Sequence, residues 1–358
     1  MKAARWYGIK DIRVEHVNQP IVKPYEVLIK VKWCGICGSD LHEYVAGPIN
    51  IPIKSQHPLT KGVAPVTLGH EYAGVVEAIG SNVANLEIGD RVCIEPVIFC
   101  ENCRACREGN QNACNKLGFQ GLSGFGGGFA EYASFRADKV HKLPDSISFE
   151  DGALVEPIAV AYHSLKKCHF QAGQVAIVSG AGTIGLATIK VLKAMGASKI
   201  FVVQRESIRQ EYAMNEGVTA VLDPYKVNVV AEIKRMTDDE MADVSFETTG
   251  SQTCFDILLA SIKSTGYLVN TSLWEENVTF DMNLVVFTEK NIVGTICYHT
   301  NEFNEVIALM EKNKITTDGL ITKKVYLEDI ASEGFNTLTG PDKKKHVKIL
   351  VTPDKDLY

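Results

Sequence analysis

Four cysteines, Cys100, Cys103, Cys106 and Cys114, stand in the pattern C-x2-C-x2-C-x7-C. Thiolates at that spacing suit tetrahedral Zn(II), which binds cysteine sulfur and fixes a loop that has no core of its own. The intervening Glu101-Asn102 and Glu108-Gly109-Asn110 are polar, so a metal, not packing, is expected to order a lobe over roughly residues 95–118. Two disulfides are the competing use. Four protein ligands close the coordination sphere, so such an ion is structural and the chemistry lies elsewhere. A second donor set is spread over three segments: Cys34-Gly35-Ile36-Cys37-Gly38-Ser39-Asp40-Leu41-His42, Gly69-His70-Glu71 and Leu154-Val155-Glu156-Pro157. One cysteine, one histidine and one glutamate make a three-ligand zinc site whose fourth position stays open to water or substrate. Each segment is ordinary alone, and the combination carries the signal.

A third feature is Gly180-Ala181-Gly182-Thr183-Ile184-Gly185, a match to G-x-G-x-x-G. It follows the apolar run 175–179 and opens an apolar-periodic stretch, the context a dinucleotide turn requires. Gly180 permits the tight turn, Gly182 lets the backbone approach a pyrophosphate, and Gly185 allows close helix–strand packing. Thr183 and Ile184 begin a helix whose N-terminus offers N–H groups and a positive dipole end to phosphates.

The elements that must hold these groups fall into two textures. The first ~150 residues are broken by glycine and proline into short β-branched runs (27–32, 74–79, 91–94 and 129–135), which reads as an irregular β domain. From Asp151 the pattern changes: a helix over 151–167, a strand, the glycine turn, a helix, and a second strand over 200–203. That is one βαβ unit of a parallel sheet, with further strands expected at 243–246, 266–270 and 291–295. A helix over 302–312 and a final strand over 346–352 do not continue this repeat.

Composition excludes several classes. The 358 residues suggest about two domains, and 46% hydrophobic with 22% charged residues is ordinary for a globular protein. A net charge of −6, with Lys343-Lys344-Lys345 as the notable basic run, argues against nucleic acid as a partner. The N-terminus lacks a signal-peptide core and no apolar run is long enough to span a bilayer. With ten cysteines, a reducing cytoplasm is the expected location.

Taken in order, G-H-E at 69–71, G-D-R-V at 89–92, the four-cysteine lobe and the glycine turn resemble the zinc-dependent medium-chain dehydrogenase/reductase family over essentially the whole chain. The resemblance implies an α/β plus β architecture, a GroES-like β catalytic domain with an inserted Rossmann parallel-sheet domain. On that plan residues 1–157 and 297–358 form the catalytic domain, and 158–296 the dinucleotide-binding domain. It also implies that Cys37, His70 and Glu156 ligate a catalytic zinc, making two zinc ions per subunit. Glu71 lies beside the metal and can exchange onto it, Ser39 is the hydroxyl of a proton relay, and His42 is its outer histidine. Cys34 is then buried structure.

An acidic residue is expected ~20 residues past the glycine turn, on the ribose hydroxyls, but Gln204 stands there. Without that anion a 2′-phosphate is not repelled, and Arg205 and Arg209 stand close by to bind it. NADP(H) is therefore favoured over NAD(H), with Glu206 as the residue able to restore an NAD-type contact. Within the family, the text of 38–44, 47–65, 117–119 and 125–132 is most similar to the branch acting on 2,3-butanediol and acetoin. A small diol or hydroxyketone is the implied substrate. A sorbitol-type polyol dehydrogenase is the alternative, and a non-catalytic nucleotide sensor a remote one. The family's habit implies a homodimer or homotetramer.

Overall fold

The computed structural model describes residues 1–358, which divide into two compact units. The first comprises Met1–Glu156, His299–Asn313 and Ile321–Tyr358; the second comprises Pro157–Tyr298 and Lys314–Leu320.

The axis of the first unit is the strand Glu26–Gly35 within a seven-stranded sheet. Val27, Ile29 and Val31 recur at period two and enter a core with Trp6, Tyr72, Phe129 and Phe335. Strand Glu71–Ile79 pairs antiparallel along one edge. Tyr132–Arg136 pairs with the opening residues, and Lys348–Thr352, from the far end of the chain, pairs with the closing ones. The register sets Gly35 opposite both Glu71 and Leu350. Ile36-Cys37, His70-Glu71 and Lys348 therefore converge at one end of the sheet. Gly35 is required at this crossing, because a Cβ there would overlap the Glu71 carboxylate.

Two differences from the sequence pattern have clear causes. The stretch expected as one helix over 151–167 is two, Phe149–Ala153 and Val155–Lys167. Pro157 has no N–H to give the Ala153 carbonyl and its ring crowds it, so the first helix ends and a second starts with proline in its first turn. The hairpin of Lys2–Gly8 and Asp11–His16, joined by Val66–Thr67 in a three-stranded sheet, has no clear alternation in sequence.

The second unit holds a six-stranded, all-parallel sheet in the order Ala220–Leu222, Lys199–Val203, Val175–Ser179, Ala242–Glu247, Ile262–Asn270, Asn291–Gly294. Numbered along the chain this is 3-2-1-4-5-6, the doubly wound order, with its switch point between the first and fourth strands. Ile177, Phe201, Phe255, Leu258 and Leu268 fill its core. The glycine turn lies between Val175–Ser179 and the helix Thr183–Ala194. No helix in the chain is long and apolar enough to cross a membrane.

A Cβ on Gly185 would overlap the backbone oxygen of Gly180, and neither backbone can yield without opening the turn. Gly185→Ala is expected to destabilise the protein by about 1–3 kcal/mol and to weaken dinucleotide binding. Urea unfolding and cofactor titration check both effects.

Candidate functional site

Cys37 is the N-cap of the helix Gly38–Ala46, and the Asp40 carboxylate accepts from its backbone N–H at 3.0 Å. This capping box fixes the thiol at the helix N-terminus. Cys37 Sγ, a His70 ring nitrogen and a Glu71 carboxylate oxygen all lie within 4.8 Å of one another. Ser39 Oγ is 3.1 Å from His70 Nε2, while Asp40 Oδ1 faces His70 Nδ1 at 3.5 Å. Those last two atoms are buried and form no hydrogen bond. Burial opposes a charge on His70, but Asp40 and then Cys37 outweigh it and raise the imidazole pKa well above its usual value. Thiol, imidazole and carboxylate, with a second carboxylate behind the imidazole, are the donor set and backing that zinc takes.

Glu156 is almost fully buried in the first turn of Val155–Lys167 and lies outside the 4.8 Å set. His42 is half-buried on the same helix as Ser39. Cys34 is in the core, and its thiol pKa is pushed well up by burial.

Sequence reasoning missed two members of this cluster. Asp40 had a visible sign, since its place three residues after Cys37 is the spacing of a capping box. Lys348 had almost none beyond being a lysine in an apolar run. It is 1% exposed, and its Nζ donates to Glu71 Oε1 at 2.8 Å, Glu71 Oε2 at 2.5 Å and the Ile36 carbonyl at 2.9 Å. Burial alone would discharge it. The charges of Glu71, then Cys37, with a contribution from Glu156, overcome this and raise its pKa.

The four lobe cysteines also gather, each offering a sulfur within 4.8 Å of the others. All ten cysteines are free thiols. Cys103 Sγ is 3.4 Å from Cys106 Sγ and 3.9 Å from Cys114 Sγ, and Cys100 Sγ is 4.0 Å from Cys106 Sγ. A disulfide needs about 2.05 Å, whereas the edge of a tetrahedron with Zn–S bonds of about 2.3 Å is about 3.8 Å. Backbone N–H groups of Cys103 and Cys100 point at Cys100 Sγ and Cys114 Sγ, each at 3.3 Å. Amides from Cys106 and Asn115 lower the Cys103 thiol to about 6. Those amides favour sulfur as thiolate, the form a metal binds. Strands Val97–Ile98 and Gly118–Phe119 pair at the base of the lobe.

In the second unit, a cleft of about 370 Å³ opens over the glycine turn. Gly180, Gly182, Gln204, Arg205, Arg209 and Thr248 are among its lining residues. Gly182 is the N-cap of Thr183–Ala194, so the N–H groups of Thr183, Ile184 and Gly185 are at a helix start with no intrahelical acceptor. Gln204 is nearly buried; its Oε1 accepts from the Ala181 N–H at 2.9 Å and its Nε2 donates to the Arg205 carbonyl at 2.9 Å. Arg209 Nη1 lies 3.6 Å from where a Gly182 side chain would begin. Burial, and then the like charge of Arg205, lowers the Arg209 pKa, so the pair gains from an anion. Glu206 is drawn to Lys226 Nζ at 2.8 Å, with both side chains well exposed.

A GroES-type β unit carrying a Cys-His-carboxylate cluster and a cysteine lobe, together in one chain with a doubly wound dinucleotide sheet, defines a class, and the chain belongs to the zinc-dependent medium-chain dehydrogenase family, whose members pair zinc with a nicotinamide cofactor. Residues 23–145 match the alcohol dehydrogenase GroES-like domain, and residues 183–312 match the zinc-binding dehydrogenase domain. The chain is 44% identical over 355 residues to the (R,R)-butanediol dehydrogenase of Bacillus subtilis (strain 168), covering 99% of this chain and 100% of that one. It is 40% identical over 356 residues to the (R,R)-butanediol dehydrogenase of Neisseria gonorrhoeae, covering 99% and 100%. The crystal structure of 2R,3R-butanediol dehydrogenase from Bacillus subtilis superposes with a TM-score of 0.93 at 44% identity, over 99% of both chains.

Removing one partner of a buried ion pair leaves the other unpaired, at a cost of about 3–5 kcal/mol. Lys348→Met should therefore lower stability in urea by about that amount. Adding Glu71→Gln to the same chain should recover a substantial part of the loss, and comparison of the three unfolding curves checks the coupling.

Proposed function

We propose that this chain is a zinc-dependent oxidoreductase interconverting 2,3-butanediol and acetoin with NADP(H). The observation that carries the reading is the gathering of the Cys37 thiol and the His70 imidazole beside the Ser39 hydroxyl, with the Glu71 carboxylate within 4.8 Å of both donors. The substrate is supported by the two whole-length relatives named (R,R)-butanediol dehydrogenase. In this reading Cys37, His70 and Glu156 hold the catalytic ion. Glu71 stays back because both of its oxygens already accept from Lys348. When bound, zinc supplies a Lewis acid and the nicotinamide supplies the hydride donor or acceptor. Ser39 Oγ takes the proton of the substrate hydroxyl, and His42, one helical turn further on, passes it outward; reduction runs the same route inward. Asp40 faces the Nδ1 side of the His70 imidazole at 3.5 Å and supplies negative charge there. Cys100, Cys103, Cys106 and Cys114 hold the second, structural ion.

The preference for NADP(H) is supported by Arg205 and Arg209 lining the cleft, by the neutral Gln204 tied to Ala181, and by Glu206 paired away with Lys226. A homo-oligomer is supported by the open sheet edge at Asn291–Gly294, next to Val286 and Phe287, which are 61% and 83% exposed. Net charge and ten free thiols favour a cytoplasmic enzyme with no nucleic-acid or membrane partner.

The decisive test is initial-rate acetoin reduction by zinc-replete protein with NADPH and NADH in parallel. A rate favouring NADPH at least tenfold is expected, with Arg205→Ala and Arg209→Ala each raising KM for NADPH by roughly tenfold, the loss of one phosphate contact. Equal use of NADH would overturn the cofactor assignment, and activity on sorbitol without acetoin would overturn the substrate. Metal analysis should find two zinc ions per chain, one after Glu156→Ala or Cys37→Ala, and two after Glu71→Gln. Light scattering should show an oligomer that Phe287→Glu dissociates or weakens.

A further inference from the structure

Glu247 ends the fourth strand of the dinucleotide sheet and is fully buried. Its Oε1 accepts from Ser179 Oγ at 3.2 Å, from the Thr249 N–H at 2.8 Å and from Thr249 Oγ1. Its Oε2 accepts from the Gly250 N–H at 3.0 Å and from Ser272 Oγ. One side chain thereby joins the ends of the first, fourth and fifth strands, and the neighbouring Thr248 and Thr249 line the cofactor cleft. Every one of these partners is a neutral amide or hydroxyl. Both carboxylate oxygens are used as acceptors, the behaviour of the ionised form, and no cation is paired with it. Accepting on both oxygens from two backbone N–H groups takes a carboxylate, so the loops hold an anion that no side-chain cation neutralises.

The doubly wound sheet assigns that charge a use. Each half of such a sheet takes one mononucleotide, and the dinucleotide crosses at the switch point. Gln204, Arg205 and Arg209 follow the second strand, so the adenosine half lies on that side. The other half, over the fourth and fifth strands, takes the nicotinamide. Its ring carries a positive charge when oxidised and none when reduced, while the phosphates are the same in both forms.

We propose that Glu247 acts through its charge to favour the oxidised over the reduced nicotinamide cofactor on this enzyme, and so biases the bound pair towards oxidised cofactor. The proposal rests on this cleft being a nicotinamide dinucleotide site. A low internal dielectric lets a buried anion act on the ring without touching it.

The test is equilibrium titration of the full-length protein with NADP⁺ and with NADPH, repeated with NAD⁺ and NADH. If the unaltered chain binds none of the four, the cofactor assignment itself falls and this proposal with it. Glu247→Gln should raise the ratio of oxidised to reduced dissociation constants by about tenfold. Glu247→Asp keeps the charge but withdraws the oxygens, and should weaken both forms together with the ratio held within about twofold. Ser272→Lys leaves Glu247 in place and sets a cation against it, so it should shift the ratio in the direction of Glu247→Gln even if that variant folds poorly. A ratio unchanged in both Glu247→Gln and Ser272→Lys, whatever happens to overall affinity, would reduce Glu247 to a loop organiser and overturn the proposal.

Discussion

The contact between Lys348 and Glu71 is the constraint on which the end of the first unit that gathers Cys37 and His70 depends. Both charges are almost entirely out of water, and each loses several kcal/mol of hydration by being there. The loss is offset only because the ammonium reaches both carboxylate oxygens and the Ile36 carbonyl at once. That geometry in turn requires Lys348–Thr352 to pair with the end of Glu26–Gly35, and requires Gly35 to have no side chain. The last strand of the chain is therefore part of the site. A catalytic unit built from both ends of the sequence is one consequence, since neither end alone brings a cation to the carboxylate.

What was legible in the sequence follows from distance along the chain. The cysteine lobe and the glycine turn are local: their ligands and backbone approaches lie within a few residues, so spacing alone carries the geometry. Cys37 and Cys34 could not be told apart by type, only by resemblance, and the physical difference is that Cys34 is still in the strand while Cys37 caps the helix beyond it. Lys348 is 277 residues from Glu71, and nothing in a strand-like run announces that one of its lysines points inward. Ala220–Leu222 escaped notice for another reason: three residues at a sheet edge are too few to show a period. The helix break before Pro157 was legible in principle, because proline's missing N–H and its clash are properties of the residue itself.

Gln204 shows where composition and structure answer different questions. Its type removes a negative charge from the place where a ribose-binding acid normally stands, and that much needs only the sequence. The structure adds that the amide is committed to the turn, bonded to the Ala181 N–H and the Arg205 carbonyl. The same residue thus shapes the glycine turn and leaves the field at the cleft to the two arginines.

The buried charges explain why the donor cluster favours a dication. Asp40, Glu71 and Glu156 are three buried carboxylates around the half-buried Cys37, against one buried cation in Lys348. Asp40 and then Cys37 raise the His70 pKa against the opposing effect of burial, so the field of the cluster favours positive charge at this point. A doubly charged ion supplies that charge while leaving His70 neutral and able to ligate. Lys348 then cannot be replaced by a hydrophobic residue without moving the balance, because it is the cation paired with the buried Glu71 carboxylate.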